Sequence, residues 1–552
     1  MSASREKKQR QDLLSQGPTQ RQLKEQREAK ARKQKIILYS VIGVIVAVAV
    51  IALLVWNSGI FQRRVTAATV GGKDVSVSEM QIYYNSVRQS VLSTQQMYAA
   101  YGITTVTEPY QAYDFDSELG DKQVYNSETG QTYEEYFEET ALESLSQVYA
   151  LTSAAEAEGY QLSDEGKANV DEAVASLASQ ATQYGYPNTA SFLIAYYGRY
   201  ATESAYRDVA TQQELASEYQ TLHQDSLTYT EADYDAYAKE NPTDVYSYDY
   251  RYVYISGAAA STTDEDGNTV EATEEEKEAA MAEAKEKADA LVAGVQAAEG
   301  DKSEAFNTLV VDAVGESSSY ADPEYNLQDG ILGVNITSSL YHDWVTDASR
   351  TAGDISSFES SSGYWVVLFE DSYLNNAETV DVRHILIKAE LTQDDPDTEE
   401  DESADEPTDE QMLSAHDEAE RILNEFNALS EDQRTAEAFG ELAEEYSDDS
   451  RNSDGDLNAA GGLYTYVEEG TMVESFNDWI FDPSRTAGDT GLVENDNAGQ
   501  YGWHVMYFQG LNGPKWHEVA AEALLSADME SWLEELTESC QAVAADGMSL
   551  VH

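Results

Sequence analysis

The sequence predicts an α+β protein with a single N-terminal transmembrane helix, a helical domain, two tandem copies of one mixed domain and a C-terminal helix. Three observations carry this reading. Ile36 to Trp56 is 21 residues without a charge. Residues 78–239 place apolar side chains at helical spacing. A phrase is also written twice: D-W-V-T-D-A-S-R-T-A-G-D at 343–354 and D-W-I-F-D-P-S-R-T-A-G-D at 478–489 match at nine of twelve positions.

The uncharged run follows a basic segment. Residues 1–35 hold 11 Lys/Arg against 4 Asp/Glu, and the rest of the chain holds 22 against 99, nets of +7 and −77. At 1.5 Å per residue the run spans about 31 Å, the thickness of a bilayer core. A secretory signal peptide is the competing reading, but its apolar stretch is about 7–15 residues long with a short basic flank. An uncleaved, single-pass cell-membrane anchor is therefore expected over 36–56. The basic segment 1–35 stays in the cytoplasm and the bulk of the chain lies outside. The net of −77 beyond it argues against nucleic acid and anionic surfaces as partners. A lone cysteine, Cys540, rules out an intramolecular disulfide framework and is expected as a packed residue of the last helix.

Residues 65–243 form the helical domain. Ala68 to Val77 predicts a hairpin turning at Gly71-Gly72. Helices are expected over 78–96, 133–159, 164–184, 189–223 and 230–239, with Gly159 as a stop and Ser163-Asp164 as a new start. Asn241-Pro242 closes the domain.

The repeat divides residues 244–512 into two domains, 244–375 and 376–512. Tyr248 to Ile255 (YDYRYVYI) aligns with Val380 to Ile387 (VDVRHILI), and Gly363 to Phe369 aligns with Gly502 to Phe508, in the same order as the repeated phrase. Three ordered blocks mean a duplicated domain. Each copy begins and ends on a strand with helices between. Each has an acidic insert after its first strand, at 258–276 and 390–410; within 394–410, 11 of 17 residues are Asp or Glu, so a solvated loop is expected. Residues 513–552 supply a helix over 516–544 whose Trp516, Leu524, Trp532, Leu533 and Leu536 need an apolar partner, for which the helical domain is the natural candidate.

The copies differ where chemistry would be done. His384 and His504 of the second copy are Tyr252 and Trp365 in the first. In the second copy Arg383-His384-Ile385-Leu386-Ile387, Tyr446-Ser447-Asp448-Asp449, Gly461-Gly462-Leu463, Met472…Phe476 and Gly502-Trp503-His504-Val505 follow in order. This series resembles the parvulin family of peptidyl-prolyl isomerases, which implies an FKBP-like α/β roll. The layout around it is similar to extracytoplasmic foldases of the PrsA and SurA type, in which a SurA-N-like helical chaperone domain is completed by a C-terminal helix.

What such a site must do sets its parts. Rotation about an X–Pro bond faces a barrier of about 18–20 kcal/mol. No bond breaks, so no metal or other cofactor is expected. About 5–6 kcal/mol of differential binding to the twisted amide would give four powers of ten. The resemblance implies that His384, Asp449 and His504 form the catalytic group, and that Leu463, Met472 and Phe476 bind the proline. A strand histidine is otherwise a core residue, Met472 and Phe476 would otherwise be plain core, and Asp449 in an Asp-Asp run would otherwise be a solvated loop carboxylate. The first copy, with Thr337 and Tyr341 opposite Met472 and Phe476, reads as degenerate.

The expected function is a membrane-anchored prolyl isomerase and foldase acting on unfolded secreted polypeptides with X–Pro bonds. The alternative is a non-catalytic holdase with both copies as binding modules. The sequence leaves the oligomeric state open.

Overall fold

A computed structural model describes residues 3–15, 20–100, 120–263, 269–270, 272–391, 406–452, 455–497 and 500–551. Most of the acidic insert at 390–410, and part of that at 258–276, lies outside the described residues. The chain divides into two compact units, Met1–Leu227 with Asp528–His552, and Thr228–Ala527. Helices and antiparallel sheets alternate in separate blocks, which is the α+β class expected from the sequence.

In the first unit the strands Thr66–Val70 and Lys73–Ser76 pair antiparallel, with Val70 opposite Lys73. The two residues between them, Gly71 and Gly72, have φ of 54° and 77°, the left-handed pair that a tight hairpin turn needs. The helix Tyr133–Glu158 starts where Thr132 Oγ1 accepts from Glu135 N and Glu135 in turn accepts from Thr132 N, a capping box, and it stops at left-handed Gly159. Ser163 then caps Asp164–Gln183. Tyr84, Tyr133, Phe137, Leu145, Leu177 and Phe192 fill the core between these helices.

Three expectations here are corrected. The helix expected over 189–223 is two, Thr189–Tyr197 and Glu203–Ser226. Gly198 breaks it at φ 98°, where a Cβ would lie 2.9 Å from the Gln81 amide, and Gln81 Oε1 accepts from Tyr200 N. The last helix runs Trp516–Glu538 rather than to 544, because Ala542–Ala544 instead extends as a third strand along Thr66–Val70. Cys540 is buried, but in the turn beyond that helix, its Sγ directly against Gly71. Trp532, Leu533 and Leu536 pack with Leu151, Ala155, Ala216 and Tyr219 within the first unit.

Ile36 to Trp56 lies in the helix Gln20–Asn57. Among the described residues no helix is long and apolar enough to cross a membrane. The side chains at 36–38 and 54 are not among those described, so the described part of the run is shorter than the run itself.

The second unit contains the duplication. Its sheets run Leu327–Leu332, Ser247–Ser256, Gly363–Tyr373, Ile355–Ser360 and Leu463–Val467, Thr379–Lys388, Gly502–Asn512, Thr490–Asn495. Strand order is the same in both, with the first and last long strands side by side at the centre. Two helices cover one face of each sheet: Glu274–Ala297 and Lys302–Val314, then Asp409–Asn427 and Ala436–Tyr446. A short helix covers the other, His342–Val345 or Glu474–Ile480. Trp516 and Ala520 join Ala238, Val245 and Leu332 in a smaller cluster of this unit.

Candidate active site

Strand alternation decides which face each side chain serves. Along Thr379–Lys388, Ile385 and Ile387 join Phe426 and Phe439 under the two long helices, while Val380 and Val382 join Phe476, Met506 and Phe508 on the opposite face. His384 follows Val382 on that second face, opposite Met506, and His504 pairs with Leu386 on the neighbouring strand. The two histidines are thus diagonal neighbours, each only 5% exposed.

Their Nδ1 atoms lie 3.1 Å apart. On its other side His384 Nε2 lies 3.3 Å from Asp449 Oδ2. Tyr464 donates its hydroxyl to the same Oδ2 at 3.2 Å. Asp449 is held far below the usual carboxylate range, first by the His384 hydrogen bond, against the opposing effect of its partial burial. Burial pushes His504 down to about 3, with His384 beside it acting the same way. Tyr464 is raised to about 12, by burial first and then by Asp449.

These bonds fix the protons. In the neutral pair His384 must donate from Nε2 to Asp449, so its Nδ1 is bare and accepts from Nδ1–H of His504. His504 Nε2 is then a bare acceptor, and it is buried with no hydrogen-bond partner. The group is a one-directional chain of hydrogen bonds ending on a partly buried anion. The adjacent Asp448 is used otherwise: its N donates to Leu386 O at 2.8 Å and its carboxylate accepts from Lys388 N at 3.0 Å. Ser447 Oγ accepts from Leu386 N at 3.1 Å. This staple onto the strand leaves Asp449 to face His384.

Phe476 meets both imidazoles edge-on, at 5.5 Å from His384 and 5.3 Å from His504. Met472, half-buried, packs into the same apolar cluster. The structure therefore gathers His384, His504, Asp449, Phe476 and Met472. It does not bring Leu463 to them: Leu463 pairs with Arg383, and Tyr464 pairs with Val382, so it is Tyr464 that turns toward the histidines, its ring 5.0 Å from His384. Tyr464 was missed by sequence reasoning, because the register of 463–467 against Val382 is set by strand pairing and a bulge.

Gly461 and Gly462 lead into that strand with φ of 57° and 65°. Gly462 is required by space as well, since a Cβ there would stand 2.2 Å from the carbonyl oxygen of His384. Arg383 secures the turn, donating to Gly461 O at 2.8 Å and, from Nε, to Gln509 Oε1 at 2.8 Å.

In the first copy the equivalent positions hold rings. Tyr252 and Trp365 stack at 5.6 Å with an interplanar angle of 21°, and Tyr341 lies 6.1 Å from Trp365. Nothing in that group carries a proton across the strands as the histidines can.

A strand-paired histidine couple, a partly buried aspartate and an aromatic wall share one face of this sheet, the arrangement that a prolyl isomerase domain of the parvulin class would use. Residues 384–510 match the family model described as Rotamase, the PPIC-type PPIase domain, so the chain carries a parvulin-type peptidyl-prolyl cis–trans isomerase. Among solved structures, the chain is similar to PrsA from Bacillus subtilis, at 13% identity over 61% of this chain and 97% of that one, with a TM-score of 0.15. It is also similar to a structure reported for PEB4 and Cj1289, SurA-like chaperones of Campylobacter jejuni, at 15% identity over 42% of this chain and 77% of that one, with a TM-score of 0.15. No curated protein matches the chain.

Proposed function

We propose that the chain is a membrane-anchored, extracytoplasmic foldase in which the second mixed copy isomerises X–Pro bonds of unfolded secreted polypeptides and the helical domain holds them. The observation that carries the catalytic part is the buried line His504–His384–Asp449 set against Phe476. Phe476 and Met472 offer the proline ring an apolar socket. An amide twisted out of plane loses resonance and much of its charge separation, so an apolar, water-poor socket favours it over the planar ground state. Asp449, kept anionic by His384, faces the carbonyl as it leaves the plane. No covalent step is needed, and the histidine line acts by fixing where that charge is.

The anchor is supported by the 21 uncharged residues that follow a segment of net +7. That arrangement would put the chain beyond Trp56 on the outer side, where the clients would be secreted chains.

The test is the cis-to-trans rate of a short X–Pro peptide with the full chain in detergent, beside a His384→Ala, His504→Ala double variant. Acceleration that disappears in the variant supports catalysis by the second copy. An intact, folded chain that gives no acceleration moves the protein to the holdase reading, which the ring-filled first copy favours. The holdase would still suppress aggregation of a proline-free client.

A further inference from the structure

We infer that Tyr464 positions Asp449, and that a strained β-bulge at residues 465–466 is what aims it. The inference rests on the isomerase reading of the site and names a member of that site that the sequence pattern did not supply.

Both copies contain the same bulge. In the first, Gln328 pairs with Tyr250 and Ile331 with Tyr248, so two residues, Asp329 and Gly330, face the single Asp249. In the second, Tyr464 pairs with Val382 and Val467 with Val380, so Thr465 and Tyr466 face Asp381. The aspartate secures the bulge each time: Asp249 Oδ1 accepts from Gly330 N at 2.7 Å, and Asp381 Oδ1 from Tyr466 N at 2.9 Å. Such a bulge needs one residue in the left-handed region, ordinarily glycine. The first copy complies, with Gly330 at φ 65°. The second puts Tyr466 there at φ 50°, the one non-glycine residue with positive φ among the described residues.

A left-handed tyrosine persists only where its surroundings over-determine it. Here Asp381 is fixed in turn by Asn512, whose Nδ2 donates to both carboxylate oxygens at 2.9 Å. The bulge re-aims the residue just before it. In the copy with the histidines that residue is Tyr464, bonded to Asp449; in the copy without them it is Gln328. The strained version therefore occurs in the copy that has a carboxylate to hold. Asp449 is faced by His384, with His504 behind it, and by Tyr464, so removing the Tyr464 hydroxyl takes away one of the two side-chain donors on its Oδ2.

Tyr464→Phe, Tyr466→Gly and Asp381→Ala in the full chain test this. Tyr464→Phe should lower kcat/KM about tenfold, the usual effect of losing one hydrogen bond to a charged group. It should also move the acid limb of the pH profile upward, because Asp449 becomes easier to protonate. Tyr466→Gly keeps the bulge with the residue type that Gly330 supplies in the first copy and should hold or raise the melting temperature, whereas Asp381→Ala, which removes the acceptor of Tyr466 N, should loosen the bulge and lower kcat/KM as Tyr464→Phe does. The carboxyl carbon of Asp449, followed by NMR against pH, gives a readout that needs no turnover: its titration should move toward the ordinary carboxylate range in Tyr464→Phe. Wild-type kcat/KM and an unmoved carboxyl titration in a folded Tyr464→Phe variant would overturn the positioning role. Wild-type activity in a folded Asp381→Ala variant would overturn the aiming role of the bulge. If the unmodified chain proves inactive, the isomerase reading fails, and the carboxyl titration still decides whether Tyr464 holds Asp449.

Discussion

Trp365 stacks on Tyr252 at the two sheet positions that His504 and His384 occupy in the second copy. Tryptophan's indole N–H only donates, so a stacked Tyr–Trp pair packs the sheet face but cannot relay a proton as two imidazoles can. Trp365→Ala should thus cost about 2 kcal/mol or more of stability through lost aromatic packing while leaving kcat/KM of the full chain unchanged. Thermal melts and a peptide isomerisation assay on the same preparation check both halves.

Acid should unfold the second copy through His504. Its ordinary value is 6.5 and burial takes it to about 3 in the fold, so the unfolded chain binds the extra proton between those limits. Stability from this group is complete above about pH 6.5 and is lost as the pH falls toward 3, with a slope of at most about 1.4 kcal/mol per pH unit. Asp449, also lowered, adds a loss in the same direction below the ordinary carboxylate range. Urea unfolding at several pH values measures the slope, and His504→Phe should flatten it.

Asp449→Asn keeps the shape of the site and removes its anion. We expect kcat/KM to fall about 10- to 100-fold with little change in melting temperature, because the cost falls on the hydrogen bonds from His384 and Tyr464. Asp448→Asn, on the residue stapled to the strand, should leave kcat/KM within about twofold while lowering stability by about 1 kcal/mol.

Gly462→Ala meets two penalties together, a φ of 65° and a Cβ 2.2 Å from the His384 carbonyl oxygen. A loss of about 2–4 kcal/mol is expected, read as a lower denaturant midpoint, with activity falling as the His384 backbone is displaced.

Much of the fold was legible because the determinants are local. The Gly71-Gly72 turn, the Gly159 stop and the Ser163 cap are each written within a few residues. The duplication was legible because three blocks kept their order. The break at Gly198 was not, since its cause is Gln81, more than a hundred positions away. The end of the last helix was hidden for the same reason: Ala542–Ala544 becomes a strand only because Thr66–Val70 offers an edge. In the site, His384, His504, Asp449, Met472 and Phe476 could be picked out from order and residue type. The place of Tyr464 beside His384 could not, because an edge strand's register is set by a bulge and by pairing with Arg383 and Val382.

The third strand of the hairpin sheet also sets a timetable. Gln81, near the start of the first unit, donates to the carbonyl of Val551, 470 residues further on. During synthesis both mixed copies leave the ribosome whole before the segment that finishes the first unit exists. At about 5–20 residues per second, that unit waits on the order of half a minute with an open sheet edge and uncovered apolar side chains. The earliest-made unit of the chain is thus its last to close.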